Sequence, residues 1–468
     1  MRIPSGFLEE FSGLLLKRYN NRINRDYAFS LAEVLLSACC WNIKYTNGYG
    51  SGQPNIWIQV ILPSGDVKSN PLNKMLFPIM KTLEHNLNEG SKLKYKIIIS
   101  QYTPESIIKF MGKHPEEVFD ATEEKVVKET HIGNVGLIIV DESSSQARGT
   151  KSKDYMSGLL EIDSLIYDGH VPERFTIAHG LSKVDYCYKA KISATTPVIY
   201  GIMEEADVIQ GGWNRFDIIV GLPINPEILK EHDPETFFQH RTQEELDDEY
   251  DYYATQLLNV IQTQVGMIYF TDDAAAMWCK YEHKQKTEAL KLSEKDLRRG
   301  YKNRMAEKVL KRAVLYAISR HIKNIHTAKA GEVLVDDDEM QMAIDNQEEY
   351  YAHWQKMLSE WKISPKAGES QLTTDVAKRE RLKAVLKLKE YISRQRVIEE
   401  TGWNDGSRNL KDTIDSFIEE NKVQSFSLGN SRELIQHFIA DAEWIEFNRI
   451  KLPVRGQAPI FYRWIGGE

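Results

Sequence analysis

GLIIVDE, residues 136–142, is the stretch whose reading decides the fold: an apolar run from Leu137 to Val140 ends in two adjacent carboxylates, Asp141 and Glu142. A short continuous apolar run bounded by turn residues reads as a strand buried on both faces, as in a parallel sheet. Such a strand delivers its last side chains to the carboxyl edge, where open α/β sheets bind their ligands. There Asp141 can hold a magnesium ion, and Glu142 can orient or deprotonate an attacking water. The simpler alternative is a strand that ends in two solvated acids, and the segments on either side decide between the two.

Working outward, four more segments have strand character: IWIQVIL (56–62), YKIIIS (95–100), YKAKISA (188–194) and FDIIVGL (216–222). They alternate with helical stretches at 71–89 and elsewhere, which points to an α/β fold with a parallel sheet covered on both faces. Residues 6–42 read as helical, with Leu8, Phe11, Leu14, Leu15 and Tyr19 at three-to-four spacing. From about residue 237 the pattern becomes charged and amphipathic (273–290, 296–327, 337–361), which predicts an all-helical subdomain. WKISPKAGESQLTTD (361–375) is polar and carries Pro, Gly and Ser, as a linker does. The expected organisation is an N-terminal helical segment (1–50), a nucleotide-binding core (51–236), a helical lid (237–362), a linker (363–376) and a C-terminal domain (377–468).

Composition sets the outer bounds. At 468 residues, 42% hydrophobic and 27% charged, the chain has the make-up of a globular protein of two or three domains. Its apolar runs are too short to span a bilayer, and the N-terminal MRIPSGFLEEF lacks a secretory pattern. Four cysteines form no CxxC pair, which predicts a reducing, cytoplasmic setting. The net charge of −8 argues against non-specific coating of nucleic acid, but local fields rather than net charge steer DNA. No HExxH zinc motif and no GxSxG elbow is present.

Four segments join the acidic strand as candidates for one site. In IQVILPSGDVKSNP, a strand leads through Ser64, Gly65, Asp66 and Val67 to Lys68 and Ser69, which stand in the lysine and hydroxyl places of a phosphate-binding loop. Ser69 and Asp141 are then the magnesium ligands. The usual spacing has glycines where Leu62 and Val67 lie, and a β-branched Val67 resists positive φ. In GGWNRFDIIVG, Arg215 sits between a Gly-Gly turn and a core strand. In KISATTP, Thr195 and Thr196 end a strand at a place where a polar group can touch a terminal phosphate or lytic water. In NRMAEKVLKRAVLYA, Arg304 and Lys311 lie about two helical turns apart, and Arg304 is a candidate nucleotide contact.

Taken together, these elements resemble the ATPase module of minichromosome-maintenance helicases and their plasmid, phage and archaeal mobile-element relatives, over roughly residues 25–350. The resemblance implies a P-loop ATPase of the AAA+ kind, using ATP and Mg2+ and assembling as a homo-oligomer, a hexamer. WNRFDIIV looks like the family's arginine-finger motif, which nominates Arg215 as a finger acting on the neighbouring subunit's nucleotide. GLIIVDE resembles its acidic strand. ATTPVIYG resembles its sensor motif, with Thr196 where an asparagine is usual. LLEIDSLIYDGHVPERFTIAHGLSKVDYCY is similar to the insert helix and hairpin that such rings point into their pore, so that Arg174, His179 and Lys183 would touch the DNA backbone. MAEKVLKRAVLYA looks like the lid helix.

The C-terminal segment SRQRVIEETGWNDGSRNLKDTIDSFIEENKV reads as helix, turn and second helix, the latter carrying Arg408 and Lys411, with strands near WIEFNRIKL and APIFYRWI. This resembles a winged helix, whose second helix can enter a major groove. From residue 372 onward sixteen basic and fifteen acidic residues nearly balance, so protein contact competes with DNA contact as its role. The expected function is an ATP-dependent oligomeric DNA helicase or translocase in the replication of a mobile element or virus. The alternatives are a non-enzymatic DNA-binding initiator or scaffold with a degenerate ATPase core, and a switch ATPase that uses the winged helix for protein contacts.

Overall fold

A computed structural model describes residues 1–19, 22–48, 50–63, 67–89, 95–100, 102–119, 125–131, 133–152, 158–170, 174–176, 180–182, 184, 186–209, 211–221, 242–363, 382–383, 385–387, 391–401, 408–420, 422–427 and 460–465. The chain forms two units, Met1–Ser364 and Pro365–Glu468. No helix among the described residues is long and apolar enough to cross a membrane.

The first unit is built on a mixed α/β core. Its central sheet contains β3 (Trp57–Ile61), β4 (Ile98–Ile99), β7 (Val135–Asp141), β10 (Tyr188–Thr195) and β11 (Asp217–Val220). They lie in the order β11-β3-β10-β7-β4, and every pair is parallel. The five segments with strand character in the sequence are these five strands. Their residues are almost all buried because both faces are covered, including the polar Gln59, Lys189, Lys191, Ser193, Thr195 and Asp217. Tyr188 of β10 donates its hydroxyl to the Ser37 carbonyl at 2.7 Å, at the end of α2 (Arg25–Ser37). Lys191, an odd number of residues further along and so on the opposite face, meets Asp163 of α6 (Leu159–Tyr167) at 2.6 Å.

The strand order has a geometric consequence. β3 leads away to the distant edge strand β4, while β10 leads across β3 to β11 on the other side. Between β3 and β10 the outgoing connections therefore diverge, which is the switch point where open α/β sheets leave a crevice at their carboxyl ends.

Two departures from the sequence reading stand out. The 6–42 helix is two helices, α1 (Phe7–Arg18) and α2. Asn24 starts the second by accepting the amides of Asp26 and Tyr27 on Oδ1 at 2.7 and 3.3 Å. The region after residue 237 is not all-helical. Between α7 (Gln243–Ile261), α8 (Asp272–Leu290), α9 (Leu297–His321) and α10 (Asp337–Ile363) lie the strands β12 (Met267–Phe270) and β13 (Leu334–Val335). With β1 (Lys44–Asn47) and β2 (Gly50–Gly52) they form a second sheet, β13-β12-β1-β2. Runs of two to four residues show no periodicity of their own, and their partner β1 lies more than two hundred residues upstream.

The chain's start is sewn to its later helices. Arg2 and Asn346 exchange two hydrogen bonds, at 2.7 and 2.8 Å, and Leu8 N donates to Ser319 Oγ at 3.0 Å. Gly6, at φ 86°, passes so close to α9 that a Cβ there would lie 2.0 Å from the Ser319 carbonyl oxygen; both facts require glycine. Beneath this seam lies a buried ionic network. Arg312 meets Glu33 at 3.1 Å and Asp217 at 2.7 Å, and Lys308 meets Asp217 at 2.9 Å. Tyr301 donates to Asp217 at 2.6 Å, and Tyr316 donates to Glu33 at 2.9 Å. Burial alone would raise the Asp217 pKa, but Arg312 and Lys308 hold it well below the usual carboxylate range. The network joins α2, β11 and α9.

In the second unit, α11 (Arg394–Thr401) and α12 (Arg408–Glu419) accompany a sheet of order β14-β16-β15, from Ile392–Ser393, Ile460–Trp464 and Val423–Ser427. Leu382, Leu386, Ile392, Val397, Phe417 and Tyr462 form part of its core. The expected strand near WIEFNRIKL lies outside the described residues.

Candidate functional site

Three strands end at the crevice, and each delivers part of one cluster. After β3, Lys68 and Ser69 open a helical run made of Ser69–Pro71, a π-helical turn Leu72–Leu76 and α3 (Phe77–Asn88). The π turn has a chemical cause. Pro78 has no N–H to offer the Lys74 carbonyl one turn back, so the backbone widens, and Tyr250 of α7 donates its hydroxyl to that carbonyl at 2.9 Å. Tyr27 of α2 fixes the start of the run by donating to the Lys68 carbonyl at 2.6 Å.

From β7 come the acids. Ser69 Oγ donates to Asp141 Oδ1 at 2.8 Å, and Asn73 Nδ2 donates to Asp141 Oδ2 at 3.2 Å. Lys68 Nζ lies 3.0 Å from Glu142 Oε2. Thr195, the last residue of β10, donates to Glu142 Oε1 at 3.0 Å, and Ser144 donates to the same oxygen. Burial pushes the Glu142 carboxyl up, but the hydrogen bonds from Ser144, Lys68 and Thr195 outweigh it and hold the pKa below the ordinary glutamate value. Glu142 is therefore an ionised acceptor at neutral pH. Its backbone sits at φ 64°, the one non-glycine residue in the left-handed region among those described. Strain of this kind persists where the surroundings hold it, often at functional sites.

Asp141 is the group that a cation would complete. Both its oxygens accept from neutral donors, and no ammonium or guanidinium pairs with it among the described residues. Magnesium takes one or two protein oxygens and fills the rest of its shell with water and phosphate, which matches Asp141 with Ser69. No group of three or more His, Cys, Asp or Glu that could hold a metal occurs among the described residues.

The loop's departures from the glycine pattern fall in different places. Leu62 is buried and packs where Gly221 leaves room, a Cβ on Gly221 lying 2.7 Å from Leu62 Cδ2. Its side chain belongs to the core. Val67 keeps its backbone out of the positive-φ region. Ser64, Gly65 and Asp66 lie outside the described residues, as do His179 and Lys183.

Arg215 and Arg304 form a second cluster. Arg215 precedes β11, whose first residue Asp217 pairs with Ile58 near the beginning of β3. The arginine therefore sits at the amino ends of the strands, on the order of 15 Å from the carboxyl-end crevice. Its Nη2 lies 2.6 Å from Asp168 Oδ2, its Nε 3.4 Å from Oδ1, and its Nη1 donates to the Gly211 carbonyl at 2.9 Å. Gly211, at φ 89°, makes that turn possible. Arg304 Nη1 reaches Asp168 Oδ1 at 3.5 Å. Burial raises the Asp168 pKa, but Arg215 and then Arg304 hold it below the ordinary aspartate value.

The structure thus gathers Lys68, Ser69, Asp141 and Glu142, and gathers Arg215 with Arg304 elsewhere. It brings Thr195 rather than Thr196 to Glu142. Successive strand residues face opposite ways, and Thr195 continues the row of Lys191 and Ser193. Asn73, Ser144, Tyr27 and Asp168 were not foreseen. Asn73 had a signal, lying four residues after Ser69 on one helical face; Asp168 had none nearby. Between β4 and β7 lie α4 (Pro104–Met111) and the antiparallel pair β5 (Lys113–Phe119) and β6 (Lys125–His131), and α5 (Ser143–Ser152) follows β7. The expected helix and hairpin between acid and sensor are α6 followed by the antiparallel pair β8 (Arg174–Thr176) and β9 (Gly180–Ser182). Arg174 falls in the first of these strands, and Arg408 and Lys411 fall in α12.

The sequence matches no protein-family model and no curated protein.

Proposed function

We propose that this chain is a magnesium-dependent ATPase of P-loop, AAA+-like architecture, which works as a homo-oligomer, a hexameric ring, to move or unwind DNA during replication of a mobile element or virus. The observation that carries the reading is the division of one parallel sheet into two chemically complementary ends. The carboxyl ends hold a lysine, a hydroxyl and two acids; the amino ends hold a paired arginine. The two cannot meet within one chain, whereas head-to-tail copies bring the amino end of one to the carboxyl end of the next.

In this reading Lys68 and the amides of the loop bind the phosphates of ATP, and Asp141 with Ser69 holds magnesium, which neutralises phosphate charge when bound. Glu142, kept ionised and oriented by Thr195 and Ser144, accepts a proton from water. Arg215 of the adjacent copy stabilises the developing charge. The helix-and-hairpin insert after Asp141 supports a DNA-contacting role for Arg174, His179 and Lys183. The helix pair and antiparallel strands of the second unit support a winged helix, with Arg408 and Lys411 on its second helix. Of the two residues that motivate the decayed-core alternative, packing accounts for Leu62, while Val67 still stands in a glycine's place.

The test is ATP hydrolysis with and without single-stranded DNA, for the natural chain and for mixtures with Arg215→Ala. Stimulation by DNA, with inhibition by the variant beyond simple dilution, supports a shared site. A chain that hydrolyses no ATP, or whose rate is unaffected by Lys68→Ala, refutes the reading.

A further inference from the structure

We propose that the Arg215–Arg304 pair is a phosphoryl-anion site which the chain's own Asp168 occupies in the isolated subunit, so that the terminal phosphate of a nucleotide held by a second copy must displace Asp168 before the two copies engage. The inference rests on the oligomeric ATPase reading above and adds a competitor to it.

Four observations bear on it. Asp168 follows the last turn of α6, where the helix dipole disfavours a carboxylate, so the helix itself gains nothing from an acid there. Two guanidinium groups converge on this one carboxylate, leaving an excess positive charge. Arg215 takes it in a two-point grip at 2.6 and 3.4 Å, while Arg304 reaches it only at 3.5 Å. A tetrahedral anion with three free oxygens and more charge satisfies both arginines better than two carboxylate oxygens do. Arg215 is also aimed independently of Asp168, because Nη1 is held by the Gly211 carbonyl. It would keep its direction after the exchange. A cleft of about 580 Å³ reaches the cluster at Asp168, beside Tyr167, Lys44, Glu307 and Lys311, while neither arginine lines it.

The experiment is sedimentation velocity of the full chain with magnesium and a slowly hydrolysed ATP analogue, beside calorimetric titration of the same analogue. Asp168→Asn keeps the shape and removes the charge. It is expected to self-associate at roughly tenfold lower protein concentration than the natural chain, while Asp168→Glu keeps the natural threshold. Arg304→Gln is expected to raise the threshold, which makes the test independent of how well Asp168→Asn folds. If the analogue binds and the natural chain assembles, but Asp168→Asn assembles no more readily, the proposal fails alone. A natural chain that binds no magnesium nucleotide brings down the underlying reading and this proposal with it.

Discussion

Two clusters of charge sit on the same unit and differ in what surrounds them. Glu33, Asp217, Arg312 and Lys308 are almost wholly buried, and each acid faces a base and a tyrosine hydroxyl. Lys68, Asp141 and Glu142 lie at a crevice, with Glu142 40% exposed and Asp141 facing only neutral donors. The first cluster is closed: two negative and two positive charges balance, and a ligand would have no unoccupied place. The second is open and unbalanced. What separates the two networks is completeness rather than residue type.

The comparison yields expected outcomes, of which the largest concerns the open cluster. Glu142→Gln is expected to slow ATP hydrolysis roughly 10²- to 10⁴-fold, with the denaturation midpoint nearly unmoved. If it unfolds the chain instead, the distinction between the clusters is broken. Arg312→Met should do the reverse. Removing one partner leaves Glu33 and Asp217 under-compensated in the core, and the loss of stability is expected at about 3–5 kcal/mol in chemical denaturation. A loss below about 1 kcal/mol would mean that the network is not structural.

Asp168 tests the ground between them. Asp168→Asn is expected to destabilise the chain by about 1 kcal/mol at pH 7. Because the folded pKa is depressed, this contribution is present above the unfolded aspartate value of about 3.9 and is lost as pH falls through the folded value. The gap between natural and variant chains should therefore close below about pH 4; a gap that persists there would assign it to shape rather than charge. The smallest effect belongs to Tyr250→Phe, which removes the donor to the Lys74 carbonyl. It is expected to cost about 1 kcal/mol, seen as a lowered midpoint with ATP affinity largely kept.

Most strands of the core sheet were legible as short apolar runs, and β10, with its buried Lys189 and Lys191, from its bounds and its place among them. Strand order was not, since it depends on pairing between distant segments. Lys68, Asp141 and Glu142 were legible from their places at or after strand ends, whereas the choice between Thr195 and Thr196 was not, because the side-chain direction turns on a one-residue register. Asp168 was invisible: its role comes from two arginines 47 and 136 residues away. The second sheet escaped for the same reason, its strands being too short to announce themselves before they are paired.

The seam between the chain's start and its later helices also governs when the protein can exist. Arg2 finds its partner at Asn346, and Leu8 finds its own at Ser319. At ribosomal rates of roughly 5–20 residues per second, the first helix waits on the order of half a minute for the segments that cover it. During that interval Phe7, Leu8, Phe11 and Leu15, all fully buried at the end, depend on α2 and then on Tyr253 of α7 for cover. A nascent chain halted before α9 can already pack Phe7 and Phe11 against Tyr253 of α7, but it lacks the Leu8–Ser319 and Arg2–Asn346 bonds, so the first unit is closed only when its later helices are made.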